Sequence, residues 1–482
     1  KNDVCKRRKG RVERMKKKLL SLLLLACLLL SGCANQKTPE KPVAITVWNY
    51  YSGVQQETFQ AQVDAFNRTV GLKENIVVTS QSKGSITSLY ESVEDSFRGK
   101  VGAEKLPDAF SAYTDSAWNY AQKGMLADLS AYCTQEELSA INPSYLAEGR
   151  LGTEKGLYIL PVRKSTEALY VNWTEWEPFA AQTGVTEEDL TTWEGLCRVA
   201  ERYYTWSGGK PFFGRDAYAN YLLVGSAELG DAIFQATKDG KADFHLSDTV
   251  LRRLWENFCV PFGKGYFDAL GRYRSDDMKT GNLIAYVGAT SSAAFTPTQV
   301  TTSDGQVTDI TVKVFPVPSF EGVEKKCAVQ QGAGMVVVKS DENRERATVT
   351  FLRYLMQPEV NIPLAVRNSY MPVTNAAVTP DSIHKAMAEL NIPEDSANGQ
   401  SLLVSAETMT TRELIYTPPF ENEYQARNVL ENQLMAECEK LREQIASALS
   451  TGLSMEEASA EGFTEEAFEA WKQTLTQALT AL

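Results

Sequence analysis

The sequence predicts an α/β fold, and three observations carry that expectation. From residue 43 onward, short strand-like apolar runs alternate with amphipathic helical stretches, the pattern of a mainly parallel sheet with helices on both faces. Some 440 residues follow the N-terminal leader, and 43% of the 482-residue chain is hydrophobic, enough for two or three domains. The last sixty residues read as long helices, so a helical extension closes the chain.

The first element is a leader. Met15-Lys16-Lys17-Lys18 precedes a twelve-residue apolar run, Leu19–Leu30, which ends in Ser31-Gly32-Cys33. A membrane span needs ~20 apolar residues, so this order is a positive n-region, a short h-region and a small-residue cleavage site. Leu30-Ser31-Gly32-Cys33 resembles the lipobox of bacterial lipoproteins, which implies a diacylglyceryl (palmitate-type) anchor on Cys33. An ordinary signal peptide with an incidental cysteine, or a buried helix, would also read this way. Residues 1–14 have no hydrophobic pattern and are set aside as an over-extended start or added sequence. Residues 15–32 are then the lipoprotein signal peptide, and residues 33–42 the lipidated cysteine and a polar, proline-bearing tether.

Strand and helix signals follow in order. Ala44–Asn49 reads as a strand, and Gln55–Val70 as a helix with Phe59, Val63, Phe66 and Val70 on one face. Asn75–Ser80 is a second strand, and Ile86, Leu89, Val93 and Phe97 form a helical stripe over Ser85–Phe97. Pro107–Tyr113 is a third strand, leading into a short helix over Ser116–Gly124. Thr191 and Glu194 have capping-box spacing ahead of an apolar face at Leu196, Val199, Ala200 and Tyr203. Leu283–Gly288, Thr311–Pro316 and Gly334–Val338 are further strands, and Asp341–Met356 is a helix stopped at Pro358. Leu430, Leu434, Cys438, Leu441, Ile445 and Leu449 mark a long helix, with Met455–Leu482 helical after it.

Composition excludes several classes. Residues 1–33 hold ten Lys/Arg and two Asp/Glu, so the remainder carries a net charge of −20 and would repel a phosphate backbone. Nucleic acid is not an expected partner. Cys133, Cys197, Cys259, Cys327 and Cys438 are odd in number and far apart, indicating neither a disulfide framework nor a zinc site. With only His245 and His384, a histidine triad or a His-rich metal site has little material. No H-E-x-x-H, G-x-S-x-G or P-loop occurs, and Gly332-Ala333-Gly334 precedes a strand instead of following one. No catalytic residue, metal or cofactor is implied. A glycosidase needs only two carboxylates, so that reading stays open.

In parallel α/β sheets, ligands bind at the carboxyl ends of the strands. The residues there are aromatic and small polar: Trp48-Asn49-Tyr50-Tyr51-Ser52-Gly53, Tyr113–Trp118, Pro211–Tyr221 and Gly288–Ser292. A sugar presents an apolar face to aromatic rings and a rim of hydroxyls to Asp, Asn, Ser and backbone amides. Tyr50, Tyr51 and Trp118, beyond strand ends, are cleft candidates, whereas Trp48 belongs to the core. Asp115 and Asp216 can contact a ligand or simply cap helices.

Ile45-Thr46-Val47-Trp48, Leu106–Phe110, Lys123–Leu129, Leu160-Pro161-Val162, Leu169–Asn172, Thr192-Trp193-Glu194, Gln330–Gly334 and Tyr370–Val373 resemble, in family order, the family 1 extracellular solute-binding proteins of ABC importers. The resemblance implies a fold like the maltose-binding proteins: a type II periplasmic-binding fold of two α/β lobes joined by hinge strands. Residues 43–156 plus 331–371 would form lobe 1, and residues 157–330 plus 372–482 lobe 2. It further implies ligand contacts at Tyr51, Asp115, Ser165, Thr166, Asp216, Asn220, Ser291, Gly332, Arg367 and Tyr370, with a mono- or oligosaccharide as ligand. Permease subunits of an ABC importer would be partners, and the protein would be a monomer on the outer face of the cytoplasmic membrane. Arg163-Lys164 and Arg367 are more basic than this pattern, which leaves glycerol phosphate or another anionic polyol as an alternative ligand; a salt bridge is their other role.

Overall fold

The computed structural model describes Met15 and residues 41–154 and 156–482. The leader, Cys33 and most of the tether lie outside the described residues. In chain order the strands that matter below are β1 (Val43–Asn49), β2 (Ile76–Ser82), β3 (Ala109–Ala112), β4 (Glu167–Asn172), β5 (Phe213–Arg215), β6 (Ala285–Ala289), β7 (Val312–Pro316), β8 (Cys327–Val329), β9 (Gly334–Val337) and β10 (Glu413–Ile415). The helices that matter below are α1 (Gly53–Arg68), α2 (Ile86–Phe97), α3 (Thr114–Gln122), α4 (Pro143–Gly149), α5 (Trp193–Ser207), α6 (Tyr218–Glu228), α7 (Asp248–Gly263), α8 (Glu342–Met356), α9 (Pro380–Leu390), α10 (Ala397–Thr411), α11 (Glu423–Ser450) and α12 (Glu465–Thr480).

Two four-stranded sheets define two lobes. The first runs β9-β3-β1-β2, with β1 parallel to both neighbours (Val43 opposite Ile76, Val47 opposite Ala109) and β9 antiparallel to β3. The second runs β7-β4-β6-β5, and here only β5 and β6 are parallel. The mainly parallel expectation therefore holds for the first sheet and not for the second. Helical sequence between strands predicts a crossover, but not that β4, arriving from the other lobe, runs against both of its neighbours.

Each lobe has its own core. Phe59, Val63 and Phe66 of α1 bury the stripe read from their spacing, and the two phenylalanines stack edge-on against Phe351 and Tyr354 of α8. Around the second sheet, α5, α6 and α7 pack with α11 and α12 through Trp193, Tyr203, Tyr221, Phe258, Leu434 and Trp471. In α11, Leu430, Leu434, Cys438, Leu441 and Ile445 are all buried, and each fully buried aliphatic side chain contributes about 1.5–3 kcal/mol.

Packing divides the C-terminal stretch differently from the division read in the sequence. Val373, Ile383, Met387, Leu402, Met409 and Leu414 join the first core, whereas the second resumes at Phe420. Helix α10 also lies against β7, so it serves both lobes. The apolar stripe of α9 shows that this helix buries a face, not which sheet supplies the other surface, and α10 buries mainly small and polar residues with Leu402 and Met409.

Between the lobes the chain crosses repeatedly. Antiparallel bridges join Leu160 to Met335, Ser165 to Gln331 and Lys164 to Met371, and β8 pairs in parallel with β10 beside them. At this junction a Cβ on Gly334 would lie 2.7 Å from the Leu160 carbonyl oxygen, so the close approach requires glycine. Among the described residues, no helix is long and apolar enough to cross a membrane.

Candidate functional site

A cleft of about 900 Å³ opens where the lobes meet. Its first-lobe wall is the start of α2, with Ile86 and Tyr90, and the start of α3, with Tyr113 to Ser116 and Asn119. Asn220 of α6 and Ala289 and Ser291 after β6 line it from the second lobe. Its floor is the crossing region: Ser165, Gln330, Gln331, Gly332 and Tyr370. The remaining side is Ile415 to Thr417 together with Asn422 to Arg427, the segment that leads into α11 and its first turn.

Six of the residues singled out in the sequence therefore line one cavity: Asp115, Ser165, Asn220, Ser291, Gly332 and Tyr370. Strand ends and crossing segments converge there because side chains just past a strand are released from the ladder at the sheet's edge. The other six lie elsewhere. Tyr51 is buried, stacked edge-on with Phe59, and Tyr50 is half-buried against it with ring centroids 5.1 Å apart. Thr166 is buried behind the floor in a separate cavity of about 20 Å³ that also touches Glu167 and Arg215. Asp216 accepts a hydrogen bond from the Arg274 backbone N–H at 3.1 Å and lies 3.7 Å from its guanidinium, while Ala217 holds the N-cap position of α6. Arg367 is exposed outside the lining. Trp118 points across to the second lobe, where a Cβ on Gly240 (φ +82°) would lie 2.8 Å from its ring.

Two of the basic residues flagged in the sequence, Arg163 and Lys164, are occupied inside the protein. The Arg163 guanidinium is sandwiched between the rings of Tyr51 and Tyr370, 4.1 and 4.2 Å from their centroids. Lys164 pairs with Glu148 of α4, and its Nζ also donates to the Gly332 carbonyl at 2.8 Å. Gln330 Nε2 donates to the same Glu148 carboxylate at 2.7 Å. This buried knot ties the crossing strands to the first lobe, and charge-assisted hydrogen bonds are the strong ones.

Sequence reasoning missed the C-terminal side of the cleft. Glu423 is buried, and Thr114 of α3 donates to its Oε1 at 3.4 Å. Arg427, one turn later, donates to Thr417 Oγ1 at 2.7 Å and to Asn220 Oδ1 at 2.8 Å. Asn220 in turn donates to Glu167 at 2.8 Å, and Arg215 donates to the other oxygen of that carboxylate at 2.8 Å. Burial, then the charge of Asp115, holds the Glu423 carboxyl well above the usual carboxylate range. Burial raises Asp115 as well. Tyr90, Tyr416 and Tyr424 complete the aromatic lining, and the Tyr113 backbone N–H donates to the Tyr90 hydroxyl at 2.9 Å. Among the described residues, no group of three His, Cys, Asp or Glu could hold a metal ion.

Two lobes, crossing segments and a polar, tyrosine-lined cleft between them define a protein built to bind a dissolved molecule. The model of the bacterial extracellular solute-binding proteins matches residues 61–390, and the chain belongs to that family. It is therefore extracytoplasmic and a binding protein, which decides against the glycosidase reading. A search of curated proteins finds no match. Among solved structures, the cyclic alpha-maltosyl-1,6-maltose binding protein of Arthrobacter globiformis is similar, at 16% identity and a TM-score of 0.64, covering 92% of this chain and 100% of that one. UgpB of Mycobacterium tuberculosis, in complex with glycerophosphocholine, gives 16% and 0.62, covering 91% and 98%. An ABC substrate-binding protein of Listeria monocytogenes, in complex with cycloalternan, gives 15% and 0.60, covering 90% and 99%. These likenesses establish the two-lobed fold.

Proposed function

We propose that the protein captures a carbohydrate in the interlobe cleft and delivers it to the permease subunits of an ABC importer. One observation carries this reading: the cleft combines tyrosine faces (Tyr90, Tyr113, Tyr370, Tyr416, Tyr424) with neutral hydrogen-bonding groups (Ser165, Asn220, Ser291, Gln331, Thr417). Flat rings match the C–H face of a sugar ring, and the amides and hydroxyls match its rim. The volume lies within the range of small-molecule sites. Binders of cyclic alpha-maltosyl-1,6-maltose and of cycloalternan among the structural relatives point the same way.

An anionic polyol is the weaker reading. Arg163 is enclosed by two rings, Lys164 has its counter-charge and Arg367 lies outside the lining, so Arg427 is the cation on the cleft wall. Ligand contact at Asp115, Ser165, Asn220, Ser291, Gly332 and Tyr370, joined by Glu423 and Arg427, belongs to this proposal. A ligand touching both walls favours the closed arrangement by its extra contacts there.

Export and anchoring complete the proposal: signal peptide 15–32 is removed, Cys33 is lipidated, and residues 33–42 tether a monomer to the outer face of the membrane. Two acyl chains are enough for stable anchoring. A thermal-shift screen against mono- and oligosaccharides tests the ligand class: a saturable rise in melting temperature without reducing-end release is expected, and no shift with any saccharide would refute it. Cys33→Ser should abolish membrane retention of the expressed precursor; persistence in washed membranes would contradict the lipid anchor.

A further inference from the structure

We propose that the carbohydrate bound here carries a protonated amine, seated between Asp115 and Glu423. The inference rests on the carbohydrate reading and narrows it. Four carboxylates line the cleft (Glu91, Asp115, Glu148 and Glu423) against the single guanidinium of Arg427. Glu148 already has its counter-charge in Lys164. Arg427 spends its hydrogen bonds on the neutral oxygens of Thr417 and Asn220. Glu91 is exposed to solvent, which leaves Asp115 and Glu423 as the acidic pair of the cleft.

Glu423 is the decisive residue. Only 4% of it is exposed, and its Oε2 is buried without a hydrogen-bond partner. An ionised carboxylate accepts and cannot donate, so this oxygen asks for a donor, and a positively charged one gains most. Sugar hydroxyls would supply donors but leave two neighbouring acids sharing the one positive charge of Arg427 in a partly desolvated cleft. An ammonium group supplies both, and the tyrosine faces around the pair favour a cation.

Acidity gives a signature of opposite sign for the two ligand types. The charges that face Glu423 are Asp115 of α3, Glu148 of α4 and Arg427 on its own helix, with Lys164 behind Glu148. Burial raises both Asp115 and Glu423, so on acidification they take up protons before free carboxyls do. An amine then loses its partners and binds more weakly. A neutral sugar, accepting from a protonated carboxyl, would bind more tightly.

The experiment is calorimetric titration of the whole protein with matched oligosaccharide series: 2-amino sugars, their N-acetylated forms and their 2-hydroxy counterparts. Amino members should bind roughly tenfold or more tighter at neutral pH, the scale of one charge-assisted hydrogen bond. Their affinity should fall with acid and with salt, and Glu423→Gln should erase the preference; Asp115→Asn repeats that test at the other carboxylate. Equal or tighter binding of the uncharged series, or a preference that survives both substitutions, overturns the amine and leaves the carbohydrate reading standing. Binding of none of the three series, nor of any saccharide in the wider screen, refutes the carbohydrate reading itself.

Discussion

Lys164 has 2% of its side chain exposed, and Glu148, its partner, 12%. Breaking a buried pair by removing one member strands the other charge. Glu148→Gln is therefore expected to cost about 3–5 kcal/mol, whereas replacing both by apolar residues should cost far less. Urea unfolding midpoints of the single and double variants check this. Glu423 carries the opposite expectation. Its folded-state pKa is raised, so between the unfolded and folded values the native state holds the extra proton, and stability falls as pH rises through that window. Glu423→Gln should accordingly raise the melting temperature at neutral pH and flatten its pH dependence. A carboxylate kept where it destabilises the fold fits a role in binding. Sequence reading reached Asp115 because it follows a recognisable strand. It missed Glu423 because that residue meets Thr114 across 309 positions, and beside Arg427 it reads as an exposed helical ion pair.

Among elements, spacing located β1, β2, β3, β6, β7 and β9 with the helices α1, α2, α3, α5, α8, α11 and α12, because apolar periodicity records which face is buried, whereas the fully buried β4, β5 and β8 carry no alternation to read. Ala44–Asn49 forms as β1 and Ser85–Phe97 as α2, with Ser85 accepting from the Ser88 N–H as the N-cap. The capping box read at Thr191 and Glu194 is displaced by one residue. Thr192 caps α5, accepting from the Gly195 N–H at 3.1 Å, while Glu194 instead binds Arg253 and the Glu321 backbone. Starting the helix there drives Trp193 into the core against Tyr221 and Phe213. Thr192→Ala should cost about 1 kcal/mol and Thr191→Ala much less, as thermal unfolding would report. The strand-end tyrosines show where such reading stops. Residues past a strand can turn into the cleft, as Tyr113 does, or back to the core, as Tyr51 does, and no local pattern distinguishes the two.

For the whole molecule, the lobes were legible as a pair but their shares of the C-terminal third were not. A helix with one apolar face specifies burial, and α9 found it on the first lobe, α11 and α12 on the second, while α10 packs against both. The proposed function requires the lobes to swing about the crossings at Leu160, Ser165 and Lys164. Small-angle scattering should show a smaller radius of gyration with a saturating saccharide than without it; an unchanged radius would contradict hinge closure. Gly240→Val, which places a branched side chain against Trp118, should weaken saccharide binding and reduce that contraction.

The contact between Trp118 and the Gly240 turn also hands the experimenter a built-in optical gauge. An indole wedged between two bodies that shift relative to each other changes its surroundings whenever they do, so emission during titration should track the motion without any attached dye. Subtracting the record of a Trp118→Phe variant would isolate that one ring from the seven others.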